Sequence, residues 1–309
     1  MLPGLAGTAK LPPFDAYSVF TEARPPVVPT LAVLTVGALY LYGVRRLTAE
    51  GHRWSVARTL TFTVGGLGTL LVALSSGLER YDQQLFGVHM VQHMLLAMVA
   101  PVFLALGAPV TLALRTLPRR GRAALLSLLH SRFAKVISFP AIPWVLFVGS
   151  PFALYFSGWY AATLESAVLH DVLHVHFVVA GCLFFWPILG IDPVPGRVGY
   201  PFRILMLFAT MPFHAFLGVA IMSVSPDGKG LLAASHYLPL IGRQDAVYQQ
   251  QVGGGLIWAS GDIVGLLFIF VAAAQWMRAS DREAAREDRR LDRLDAAAAA
   301  QRSETPSGR

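Results

Sequence analysis

An all-α, polytopic membrane protein with seven transmembrane helices is the fold that the sequence predicts, and three observations predict it. Apolar residues make up 55% of the 309-residue chain and charged residues only 14%, against about 25% charged in soluble domains. The apolar residues gather into seven runs long enough for a bilayer core, which takes about 20 helical residues. The charges fall between those runs, and arginine supplies nearly all the positive ones: Lys10, Lys135 and Lys229 are the only lysines.

In chain order the expected spans are 27–44, 57–77, 87–114, 136–157, 167–190, 203–225 and 253–277. Before them, residues 1–26 begin "MLPGLAGTAKLPPFDAYSVF". This stretch has no basic region followed by an apolar run, so it reads as a proline-rich extracytoplasmic tail rather than a signal peptide. The third span is long and is expected to bend at Pro101 or Pro109, because proline removes a backbone donor. The fourth carries Pro140, Pro143 and Pro151, which leaves its ends least defined. After the seventh span, residues 278–309 form an alanine-rich tail of mixed charge, expected to extend the last helix into the cytoplasm. No repeat or second domain is visible.

Orientation follows from the cations. With the N-terminus outside and the C-terminus cytoplasmic, 20 Lys and Arg residues fall inside and five outside, a strong positive-inside bias. The net charge of +7 therefore reports membrane topology, and nucleic-acid binding is not expected. The single cysteine, Cys182, excludes an intrachain disulfide and a multi-cysteine metal site.

Polar residues inside the spans carry the functional reading. "HMVQHM" places His89 and His93 four residues apart, on one helix face with Cβ atoms about 5–6 Å from each other. Met90, Met94 and Met98 form the adjoining stripe. "HDVLHVHF" repeats the device with His170 and His174, and Asp171 lies beside His174. "MPFHAFLG" sets His214 near mid-membrane, and "GGGLIWASGD" sets Asp262 about one turn beyond Trp258. On this topology all fall in the outer half or middle of the bilayer. Ionisable groups there are costly and face the bundle interior, and imidazole pairs at this spacing offer two ligands to one ion. The expected metal residues are His89, His93, His170, His174, His214 and Asp262, with Met90, Met94, Trp258 and Asp171 as secondary candidates. Soft methionine sulfur beside imidazole favours copper(I) over zinc. The structural alternative for any one histidine is an interhelical hydrogen bond; His176 reads that way. His52, His130 and His236 read as loop residues. Glu79 and Asp82 read as ordinary loop acids able to attract a cation.

Four segments taken in order resemble a known family: "HMVQHMLLAMVAPVFLALGAPVTLALR", "HDVLHVHFVVAGCLFFWPILGIDP", "MPFHAFLGVAIM" and "GGGLIWASGD". They are similar to the polytopic CtaG-type assembly proteins of caa-type cytochrome c oxidases, over roughly Leu31 to Met277. These are distinct from the single-span copper chaperone that shares the CtaG name. The resemblance implies a non-enzymatic role in maturing a haem–copper oxidase, with copper as cargo. Its catalytic subunit and an extracytoplasmic copper donor are the implied partners. The ligand assignment remains that of the spacing argument. Three other readings stay open. A haem-binding cytochrome would use facing imidazoles as axial ligands. A membrane zinc hydrolase would use three ligands and a carboxylate. A transporter would relay protons through the buried groups. A retinal protein is excluded by the lack of a lysine in span seven.

Overall fold

The computed structural model describes residues 11–196 and 198–304, with side chains up to 297. Lys10, Arg197 and Arg309, three of the cations counted above, lie outside the described residues, as do the ends of both tails. Among the described residues every regular element is helical. Six helices are long and apolar enough to cross a membrane, and a bent pair makes a seventh span. Leu31, Leu34, Phe208, Phe216, Ile263 and Phe270 on the outward faces are exposed, whereas Asp82, His89, Gln92 and His93 are sealed inside. That inversion is what a hydrocarbon surround requires.

The first two spans are Val27–Ala49 and Val56–Tyr81. Tyr40 stacks on Phe62 at 3.9 Å between ring centroids and donates to the Gly107 carbonyl at 2.8 Å. The second span contains a π-helical stretch, Thr61–Leu67, and breaks at Ser76. The Ser76 hydroxyl then caps the short helix Gly77–Tyr81 through Leu78 N. Residues 11–26, part of the expected proline-rich tail, are folded onto that short helix. Tyr81 donates to the Pro12 carbonyl at 2.8 Å, Arg80 pairs with Glu22, and Gly77 abuts the Ser18 backbone.

The third span, Phe86–Leu106, is π-helical over Leu95–Val99, just ahead of Pro101. Proline has no N–H to offer the carbonyl four residues back, and the wider π turn absorbs the mismatch. That carbonyl is Ala97 O, and it points at Gly181 of the fifth span, where any Cβ would overlap it. The third and fifth spans, which carry four of the six expected metal residues, therefore meet backbone to backbone. Gly181→Val is expected to destabilise the protein by about 3 kcal/mol, the upper end of overpacking costs, because the obstacle is main chain. Thermal unfolding in detergent measures it; a neutral variant would mean that this contact does not hold the spans together.

The expected third span of 87–114 is divided in the structure. Ala108 adopts a left-handed conformation and a separate helix, Pro109–Thr116, follows. Asp192, 82 residues from Val110 in the chain, caps that helix, accepting from Val110 N, Thr111 N and the Thr111 hydroxyl. Next come Arg119–Leu129 and Arg132–Ile137, basic and amphipathic helices without a single buried residue. Such helices suit a membrane surface.

The fourth span is broken. Ala141–Tyr155 rises only about 22 Å at 1.5 Å per residue, and Trp159–Glu165 continues at a bend of 76°. The fifth and sixth spans are Ala167–Leu189 and Tyr200–Met222. The last helix, Ala234–Glu304, starts well before the expected residue 253 and is interrupted at Gly242, whose φ of 77° is left-handed. Its early turns are polar for a reason. Gln250 donates to the Ile221 and Gly230 carbonyls and accepts from Leu232 N, and Gln249 accepts from Gly87 N.

Candidate metal centre

The spans bring one set of polar residues together at one end of the bundle. Helical periodicity turns His89 and His93 to one face of the third span, and His170 and His174 to one face of the fifth. All four are buried, at 0–3% exposure. Ring centroids run His89–His93 3.8 Å, His93–His174 6.0 Å, His174–His170 4.4 Å and His170–His89 5.7 Å, a closed circuit. Metal–nitrogen bonds of about 2.0–2.1 Å put a ligand ring's centre about 3 Å from its ion, so two ligand rings stand at most about 6 Å apart. Adjacent rings of the circuit lie within that limit, but among the described residues no three of these rings have ligand nitrogens all within 4.8 Å of one another.

Hydrogen bonds fix what each ring offers. His170 Nε2 and Asp82 Oδ2 are 2.6 Å apart, which requires a proton between them. Burial raises the Asp82 carboxyl above its ordinary value, and the His170 hydrogen bond and charge pull it back down. His93 Nδ1 lies 3.0 Å from the Tyr155 hydroxyl, which is itself 3.6 Å from Met90 Sδ. The Tyr155 hydroxyl thus bridges His93 Nδ1 and Met90 Sδ. Among the described residues His93 Nε2, His170 Nδ1, His174 Nε2 and both nitrogens of His89 are buried without a hydrogen-bond partner. Each of the four imidazoles thus presents a free nitrogen. Orphaned buried polar atoms cost about 1–3 kcal/mol each, so their concentration here needs a cause.

Two sets of donor atoms close most tightly, each with all members within 4.8 Å: Asp82, His170 and His174, and Glu79, Asp171 and His174. The two acids read as loop residues are therefore built into the centre. Asp82 is completely buried, and Glu79 accepts from Gln92 Nε2 at 2.6 Å. His236, also read as a loop residue, sits on the last helix and donates from Nε2 to the Gln83 carbonyl, fixing the turn that presents Asp82. A sequence signal for the acids existed: Glu79 and Asp82 are the only acidic residues between Glu50 and Glu165.

Other expected residues stand elsewhere. Neither donor set includes His89, His93, His214 or Asp262; the first two wall the centre through their rings. His214 donates from Nδ1 to its own helix at Thr210 O, and its Cβ packs on Gly261. Asp262 is half-buried beside that contact. Trp258 is 44% exposed and its backbone abuts Gly218, placing it in the packing of the sixth span on the last. Met90 belongs to the Tyr155 chain, whereas Met94 packs at the edge of the apolar core and Met98 within it. His176 is half-buried, its ring against Phe177.

A multi-pass helical membrane protein with a buried imidazole–carboxylate cluster near one end is the class that this fold and site define. The model of the cytochrome c oxidase caa3 assembly factor family matches residues 38–279, and the chain belongs to that family. It is 39% identical over 301 residues to the uncharacterized proteins Mb0105 of Mycobacterium bovis and MT0111 of Mycobacterium tuberculosis, covering 90% of this chain and 45% of each of them. It is 38% identical over 270 residues to ML1998 of Mycobacterium leprae, covering 85% of this chain and 40% of that protein. The chain thus spans less than half the length of these curated relatives. No solved structure matches it.

Proposed function

We propose that the protein carries copper for assembly of a haem–copper oxidase, holding the ion at a buried centre that His170 and His174 anchor and His89 and His93 wall. The observation that carries this reading is the free nitrogen on each of the four buried rings. Asp82 and Tyr155 each occupy the opposite nitrogen of their histidine, which is how ligand imidazoles are oriented and made basic. Family membership supports copper as the cargo, and imidazole is a suitable ligand for it. The excess of cations on the other side supports a centre facing outward from a bacterial plasma membrane. On this reading an extracytoplasmic donor supplies the ion and the oxidase catalytic subunit receives it laterally in the bilayer. The function is transfer by ligand exchange and involves no enzymatic step.

The test is a strain lacking this protein, grown at limiting copper. The oxidase catalytic polypeptide should be present but with its copper centre depleted, as metal analysis of the isolated oxidase would read. Wild-type copper content and oxidase activity would overturn the proposal.

A further inference from the structure

The two donor sets that share His174 differ in their depth. We infer that Glu79, Asp171 and His174 form a loading site at which a copper ion first docks before moving inward to the histidines. This rests on the copper-carrying function proposed above. Accessibility falls in one direction: Asp171 is exposed, the Glu79 side chain is 22% exposed and that of His174 4%, whereas Asp82 is at 0% and His170 at 2%. Asp171 is four residues from Ala167, where the fifth helix starts. That is about 6 Å at 1.5 Å per residue, shallow enough for its carboxylate to stay hydrated.

Donor chemistry changes along the same line. The outer set offers two carboxylates and one imidazole, and the inner centre is dominated by imidazoles. Carboxylates suit ions such as magnesium and calcium, whereas imidazole suits copper. A copper ion caught by the outer oxygens is therefore drawn inward. His174 belongs to both sets, so it remains bound while Glu79 and Asp171 are exchanged for the deeper rings. Only coordination bonds break and form, and the ion keeps its charge and oxidation state. Gln92 Nε2, hydrogen-bonded to Glu79 and to the Ala73 carbonyl at 2.9 Å, holds the outer carboxylate on this route.

The experiment follows uptake of Cu2+ alone by the purified full-length protein, reading both the loading rate by stopped flow and the final copper content. Asp171→Asn is expected to load at least about tenfold more slowly, the lower end of electrostatic effects on association, and to reach wild-type content. Glu165→Gln, which removes a nearby exposed acid outside both sets, should load at the wild-type rate. A wild-type rate in Asp171→Asn overturns the loading site alone. Equal slowing in Glu165→Gln also overturns it, because the effect is then general charge. A loss of final content in Asp171→Asn would make Asp171 a ligand of the resting centre and overturn the two-step route. A wild-type protein that takes up no copper would overturn the proposed function as well.

Discussion

His174→Leu is expected to reduce copper from one equivalent per chain to background, while the metal-free protein unfolds at the same temperature or higher. His174 is the one residue common to both converging donor sets, so its loss dismantles each of them. Its contribution to the metal-free fold is small. Nε2 is buried without a partner among the described residues, and Nδ1 is 4.0 Å from Glu79, too far for a hydrogen bond. Leucine fills comparable space without an unsatisfied polar atom, and removing that atom should gain about 1 kcal/mol. Unfolding in detergent with and without a chelator, paired with metal analysis, reads both quantities. A structural histidine behaves in the opposite way: its replacement lowers stability and leaves metal content alone. That pattern would remove His174 from the centre.

The spans and the histidine pairs were legible in the sequence because both depend on local periodicity. Runs of apolar residues mark where a helix can face lipid, and four-residue spacing puts His89 with His93 and His170 with His174. What could not be read locally was burial imposed from a distance. Asp82 lies outside every apolar run, and its hydrogen bond to His170 spans 88 residues. Glu79 and Arg80 are polar residues at the end of the second span, and the N-terminal segment packs over their helix through Pro12 and Ser18. The last helix was expected to start near 253 because hydropathy penalises Gln249 and Gln250. Those two side chains instead satisfy backbone groups of the preceding loop and of the third span. His214 and Asp262 show the converse. Shared depth in the bilayer suggested a shared site, yet depth says nothing of azimuth, and Gly261 brings their two helices together in a packing contact of its own.

The largest effect on stability should come from separating Asp82 and His170. His170→Leu leaves a carboxylate at 0% exposure without the side-chain hydrogen-bond partner it has among the described residues; stranding a buried charge costs about 3–5 kcal/mol. Asp82→Leu strands a neutral imidazole instead and should cost less, about 1–3 kcal/mol. The double variant removes both polar groups, and apolar replacement of a whole buried pair is often neutral or stabilising. Its cost should therefore fall well below the sum of the single costs, with a coupling of about 2–3 kcal/mol, as is found for contacting residues. Unfolding measurements on the three variants and the wild type complete the cycle. Additive costs would mean that the 2.6 Å contact is energetically idle, and Asp82 would lose its role of directing the free nitrogen of His170 toward the ion. All three variants should also lose copper, the double variant included. Recovery of stability without recovery of copper would separate what the pair does for the fold from what it does for the centre.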